Sequence, residues 1–177
     1  MKKYLMTMVA VLCYMMTATV FTACNKDDDK TDSGGTSQKQ VVSISYVFTL
    51  GQAYLDYYDV YCYYTDVDGV VQTEVCTAKA YKYDKVVDYD KAPKSYEFSI
   101  VAIPKNPLPD IDAEGVYDVG HSYAVNVCVR PASDLEKITK TIMSGGNTSN
   151  SQTKGSALKS VIEKGQRDIV SKVTGTK

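Results

Sequence analysis

The residues best equipped for chemistry in this 177-residue chain are two acidic groups, one histidine, five cysteines and fifteen tyrosines. The first acidic group, Asp66-Val67-Asp68-Gly69 followed by Glu74, invites a calcium reading. In a helix-loop-helix calcium loop with Asp68 and Gly69 at its fifth and sixth positions, the closing glutamate falls at residue 75. Residue 75 is valine, the first position is Tyr64, and the flanks read as strands, so that reading fails. Asp-Gly suits a tight hairpin turn instead, because it supplies positive φ angles. The second group, Asp110, Asp112 and Glu114 with Asp118 nearby, lies in a Pro-rich loop, where solvated charge is commoner than a weak calcium site. No metal and no cofactor are expected.

His121 follows Gly120 just before a strand and reads as a turn histidine. No Gly-x-Ser-x-Gly elbow, His-Glu-x-x-His helix or phosphate-cradling loop occurs in the chain. The sequence therefore points away from an enzyme; a hydrolase with an unfamiliar motif is the alternative. Of the cysteines, Cys62, Cys76 and Cys128 belong to the folded part. A three-residue hairpin loop, Val67 to Gly69, is expected to set Cys62 and Cys76 opposite each other. A two-residue loop pairs Cys62 with Val75 and puts the two cysteines on opposite faces. Free cysteines buried as small apolar residues are the other possibility.

The tyrosines hint at binding. Tyr57, Tyr61 and Tyr63 alternate along one strand face, with Asp59 among them, against Tyr58, Val60, Cys62 and Tyr64 on the other. With the second set as core, the first is an exposed aromatic stripe suited to stacking on a glycan or contacting a protein. The competing arrangement packs these rings beneath a loop or the C-terminal tail.

The elements that must carry these residues are mainly β. Val42, Ile44, Tyr46, Phe48 and Leu50 alternate with polar residues, which gives a half-buried strand over residues 41–50. Further strands are expected at 57–65, 70–80, 81–89, 96–103 and 123–129. Six or seven strands in about ninety residues indicate a small antiparallel β-sandwich over residues 41–131. The Tyr123-Ala124-Val125-Asn126-Val127 stretch resembles the penultimate strand of immunoglobulin-like and fibronectin-like domains, which a tyrosine often opens.

Residues 132–177 read as a helical tail. Ser133-Asp134-Leu135-Glu136 is a capping box that begins a helix through about Met143. A Gly/Ser-rich linker follows to Lys154. From Ser156, Leu158, Val161, Ile162, Ile169, Val170 and Val173 recur at helical spacing, interrupted by Gly165. Residues 41–130 carry 7 basic and 13 acidic side chains, net −6, and residues 131–177 carry 8 and 4, net +4. That asymmetry favours a tail folded back on the acidic core.

The first 23 residues have the parts of a secretory signal: Lys2 and Lys3, an uncharged run from Leu5, and Ala23 before Cys24. This arrangement resembles the lipobox of bacterial lipoproteins, apart from Phe21 where that family usually has Leu, Val or Ile. The resemblance implies cleavage before Cys24 and lipidation of its thiol. Lys26, Asp27, Asp28 and Asp29 resemble the export signal of surface lipoproteins in Bacteroidota, which implies an outer-membrane protein facing outward. Residues 24–40 then form a flexible tether, with TDSGGTSQKQ free of apolar side chains. The balance of 20 Lys+Arg against 21 Asp+Glu excludes a strongly basic nucleic-acid binder. The expected function is a lipid-anchored binding or accessory module for a glycan or protein ligand.

Overall fold

A computed structural model describes residues 38–177. Cys24, Lys26, Asp27, Asp28 and Asp29 lie outside the described residues. The chain runs β1 (Gln40–Leu50), α1 (Gln52–Tyr57), β2 (Tyr58–Thr65), β3 (Val71–Val75), β4 (Ala80–Asp88) and β5 (Ser95–Pro104). It continues through β6 (Val116–Asp118), β7 (His121–Pro131), β8 (Lys140–Ser149), β9 (Gln152–Lys154), α2 (Gly155–Ile162) and β10 (Arg167–Thr176). One sheet has the order β4-β1-β7-β8 and the other β10-β5-β2-β3, with β6 and β9 as a small separate pair. The ladders are antiparallel throughout, and the protein is mainly β.

Alternation makes the core. Val42, Ile44, Tyr46, Phe48 and Leu50 of β1 and Val125, Val127 and Val129 of β7 face Tyr58, Val60 and Cys62 of β2 and Tyr96, Phe98, Ile100 and Ala102 of β5. The two layers meet at Phe98, whose ring lies 5.5 Å from Tyr46 and 6.1 Å from Phe48. Burying a side chain of that size contributes about 1.5–3 kcal/mol. Tyr46 keeps its polar end satisfied by donating its hydroxyl proton to the Thr65 carbonyl at 3.1 Å.

Several sequence-based expectations are corrected. The helix expected from Ser133 to Met143 is absent: Asp134 Oδ1 accepts the N–H groups of Glu136 and Lys137 in a local turn, and the chain then enters β8. The expected linker is the far end of β8 together with β9. The long tail helix is real only as α2, which buries Leu158 and Ile162. Gly165, at φ 88°, follows it in the left-handed conformation that stops a helix. The remainder of the stripe belongs to β10, where register shifts between Asp168 and Val170 and between Val170 and Val173 let the neighbours Ile169 and Val170 both turn inward. Two bulges thus gave a strand the spacing of a helix. Residues 132–177 are therefore part of the sandwich, with β8 beside β7 and β10 beside β5. The Tyr123 strand is not penultimate either, since β8, β9 and β10 follow it.

Candidate functional site

Tyr61 and Tyr63 stand on the outward face of the second sheet, half-buried, with exposed Asp59 preceding them on the same side. Their strand places them there because Tyr58, Val60 and Cys62 turn inward. Register supplies the neighbours. Tyr61 lies between Val75 of β3 and Val101 of β5, Tyr63 between Thr73 and Ser99, and Asp59 beside Ile103. Val75 and Ile103 are 55% and 39% exposed, high for large apolar residues, so the row forms an aromatic and aliphatic strip. Glu97, which pairs with Lys172, borders it on the same sheet.

Tyr57 does not belong to this strip. It ends α1 rather than opening β2, and it is buried, with its ring edge-on to Tyr117 at 5.5 Å. Burial and the Tyr117 hydroxyl beside it push its phenol up to about 12. The short helix turns the backbone between residues 52 and 57, so strand alternation does not extend back to Tyr57.

The acidic and cysteine groups take structural positions. Asp66 Oδ1 accepts the N–H groups of Asp68 and Val70, and Gly69 adopts φ 80°, which closes the β2–β3 hairpin. Asp112 Oδ1 accepts the Glu114 N–H, and Asp118 Oδ1 accepts the Gly120 N–H. Among the described residues no group of three or more His, Cys, Asp or Glu is arranged to hold a metal ion. The hairpin loop does span Val67 to Gly69, yet counting outward from the Asp66–Val70 bond puts Cys62 opposite Glu74. Cys62 and Cys76 are thus offset by two residues rather than opposed. Both are buried free thiols, and burial pushes Cys76 up to about 12 and raises Cys62 as well. Cys128 is likewise free and buried.

Two features had no signal in the sequence. Tyr46, Phe48, Cys62, Tyr64, Tyr81 and Tyr83 line a cleft of about 70 Å³ at the β3/β4 side of the sandwich, with Glu74 and Lys82 at its margin. At another place, Arg167 lies 5.6 Å over the Tyr54 ring, and Tyr54 meets both Tyr58 and His121. His121 opens β7 opposite Leu50, rather than sitting in a turn. Burial, and then the Arg167 guanidinium, hold its imidazole below the usual value. Neither group contains a nucleophile with a base in hydrogen-bond reach. No family model, curated protein or solved structure matches this chain.

Proposed function

We propose that this protein is a lipid-anchored, non-catalytic binding module, held at the outer membrane by Cys24 and facing the cell exterior. Its contact face is the strip of Asp59, Tyr61 and Tyr63, and its ligand is a glycan or a protein surface. The observation supporting this reading is the outward-facing row Val75–Tyr61–Val101 beside Thr73–Tyr63–Ser99 on a folded sheet, in which the tyrosine rings are half-buried and Val75 and Thr73 are exposed. Same-face side chains along a strand stand about 7 Å apart, a spacing suited to successive sugar rings or a flat protein patch. Tyrosine offers apolar area together with a hydroxyl, and Asp59 accepts hydroxyl hydrogen bonds.

A glycan-array screen of the protein, paired with Tyr61→Ala and Tyr63→Ala, tests the face. Each change is expected to weaken binding at least tenfold while shifting stability by less than about 1 kcal/mol, because a truncated surface ring leaves little cavity. Destabilisation of several kcal/mol without a change in affinity refutes the contact face. Export is tested separately. Changing Asp27, Asp28 and Asp29 together to Ala is expected to leave lipidation intact and to remove protease accessibility on whole cells. A wild-type protein already protected on intact cells refutes the outward orientation.

A further inference from the structure

The four outer edges of the two sheets are treated very differently. On one side β8 and β10 press together: a Cβ on Gly175 would stand 2.5 Å from the Ile142 carbonyl oxygen. On the other side, β4 carries Lys82, Asp84 and Lys85, with Lys82 and Asp84 ion-paired, and edge charges of this kind discourage further strand pairing. β3 has only Glu74. Its whole length is exposed, including Val71 at 47% and Val75 at 55%, and Val70 just before it is 54% exposed.

Hydrogen-bond phase decides which backbone groups of β3 are available. The Cys76 N–H donates to Val60 O at 2.8 Å, and the Asp66 N–H donates to Val70 O at 2.9 Å. Between these bonds the register pairs Cys62 with Glu74 and Tyr64 with Gln72. Residues 70, 72, 74 and 76 therefore direct their backbone groups at β2, and alternation turns those of Val71, Thr73 and Val75 outward. Among the described residues no strand lies beyond β3 to receive them.

The sequence of this edge complements itself. In an antiparallel pairing centred on Thr73, Val71 faces Val75, Thr73 faces Thr73, and Gln72 faces Glu74 of the other copy. The valine and threonine pairs are favourable cross-strand neighbours, and the Gln72 amide, which already gives one N–H to the Asp66 carboxylate at 2.6 Å, keeps a second N–H to donate to the Glu74 carboxylate. Val71, Thr73 and Val75 would exchange their outward N–H and C=O groups in mutual pairs, which leaves none of them unmatched. No one-residue shift of this register keeps both the hydrogen-bond phase and the valine-to-valine match.

We propose that β3 is a docking edge for a second copy of this chain, joined antiparallel about Thr73 so that two four-stranded sheets become one of eight strands. The two-fold axis of such a pair runs perpendicular to the sheet, so both Tyr61/Tyr63 strips face the same side. The pairing stands on the edge geometry alone and does not depend on what those strips bind.

Two full-length chains with different tags, co-expressed, chemically cross-linked in cells and extracted in detergent, test the pairing. Wild-type copies are expected to co-purify. Thr73→Lys in both copies, or Thr73→Glu in both, sets like charges directly opposite and is expected to reduce recovery at least fivefold. Thr73→Lys in one copy with Thr73→Glu in the other is expected to restore it. Because Thr73 is exposed and its backbone bonds do not face β2, the variants should melt as the wild type does, and recovery by the opposite-charge pair itself reports folded chains. Wild-type copies that fail to co-purify overturn the proposal. So do like-charge pairs recovered as well as wild type, or an opposite-charge pair recovered no better than the like-charge ones.

Discussion

Two buried tyrosines on facing strands separate the value of a hydrogen bond from the value of a ring. The Tyr46 hydroxyl donates to the Thr65 carbonyl, whereas the equally buried Tyr96 hydroxyl has no partner among the described residues. Tyr46→Phe should therefore cost about 1–2 kcal/mol, since it orphans a buried carbonyl, while Tyr96→Phe should be neutral or stabilising by about 1 kcal/mol. Urea unfolding of the two variants checks the opposite signs. His121 adds a pH dependence. Burial and Arg167 lower its pKa in the folded state from the ordinary 6.5, so the unfolded chain binds the proton more readily. Stability is then complete above pH 6.5 and declines as pH falls from there toward the lowered folded value. His121→Gln should flatten that slope in urea midpoints measured across the window, leaving the carboxylates to act at lower pH. Residue roles of this kind were only partly legible. Alternation placed Tyr61 and Tyr63 on the face opposite Val60 and Cys62, but it wrongly carried Tyr57 along, because a six-residue helix interrupts the strand period there. The His121–Arg167 approach joins residues 46 positions apart, and no local pattern encodes it.

At the scale of elements, the strands with clean two-residue alternation, β1, β5 and β7, could be read directly, whereas β10 could not. Its bulges bring Ile169 and Val170 inward together, and after Leu158, Val161 and Ile162 of α2 that pattern continues a helical stripe. β8 was hidden for a different reason. Ser144, Gly145 and Gly146 have the composition of a linker, yet they sit in a ladder where Val125 and Tyr123 approach closely: a Cβ on Gly145 would meet a Val125 methyl at 3.3 Å. Gly165 discriminates the two readings of the tail. Inside a continuous helix, Gly165→Ala would stabilise by about 1 kcal/mol. At φ 88°, the same change should instead cost about 1 kcal/mol, because nothing lies within 4 Å to clash and only the backbone strain remains. Equilibrium unfolding gives the sign. A chain ending at Lys164 should lose far more, since it uncovers the β5 edge and removes buried Ile169 and Val170. Such a chain is expected to show no cooperative unfolding transition.

For the molecule as a whole, the proposed address and the fold occupy separate stretches of sequence. The ladders begin at Gln40, with the Lys39 carbonyl accepting the Ala132 N–H, and Lys177 closes the chain by donating its ammonium protons to the Tyr89 and Ala92 carbonyls. Charge asymmetry between residues 41–130 and 131–177 accordingly finds its use inside one sandwich, through pairs such as Lys154–Glu114 and Lys172–Glu97, rather than between a core and an appended tail. Each of these surface pairs contributes at most about 1 kcal/mol, so the ladders and the Phe98-centred core carry the stability. The proposed anchor, Cys24, precedes every residue of those ladders in sequence. Each buried acyl methylene adds about 0.8 kcal/mol to membrane affinity, and several chains on one cysteine make attachment durable. Cys24→Ser should thus abolish palmitate incorporation and block signal removal by the lipoprotein pathway. The melting temperature of the sandwich should stay within about 1 °C of wild type, since Cys24 precedes the first strand in sequence. Metabolic palmitate labelling and thermal unfolding of the same preparation read the two effects independently. Unchanged labelling refutes the lipidation site, and a large fall in melting temperature refutes the separation of address from fold.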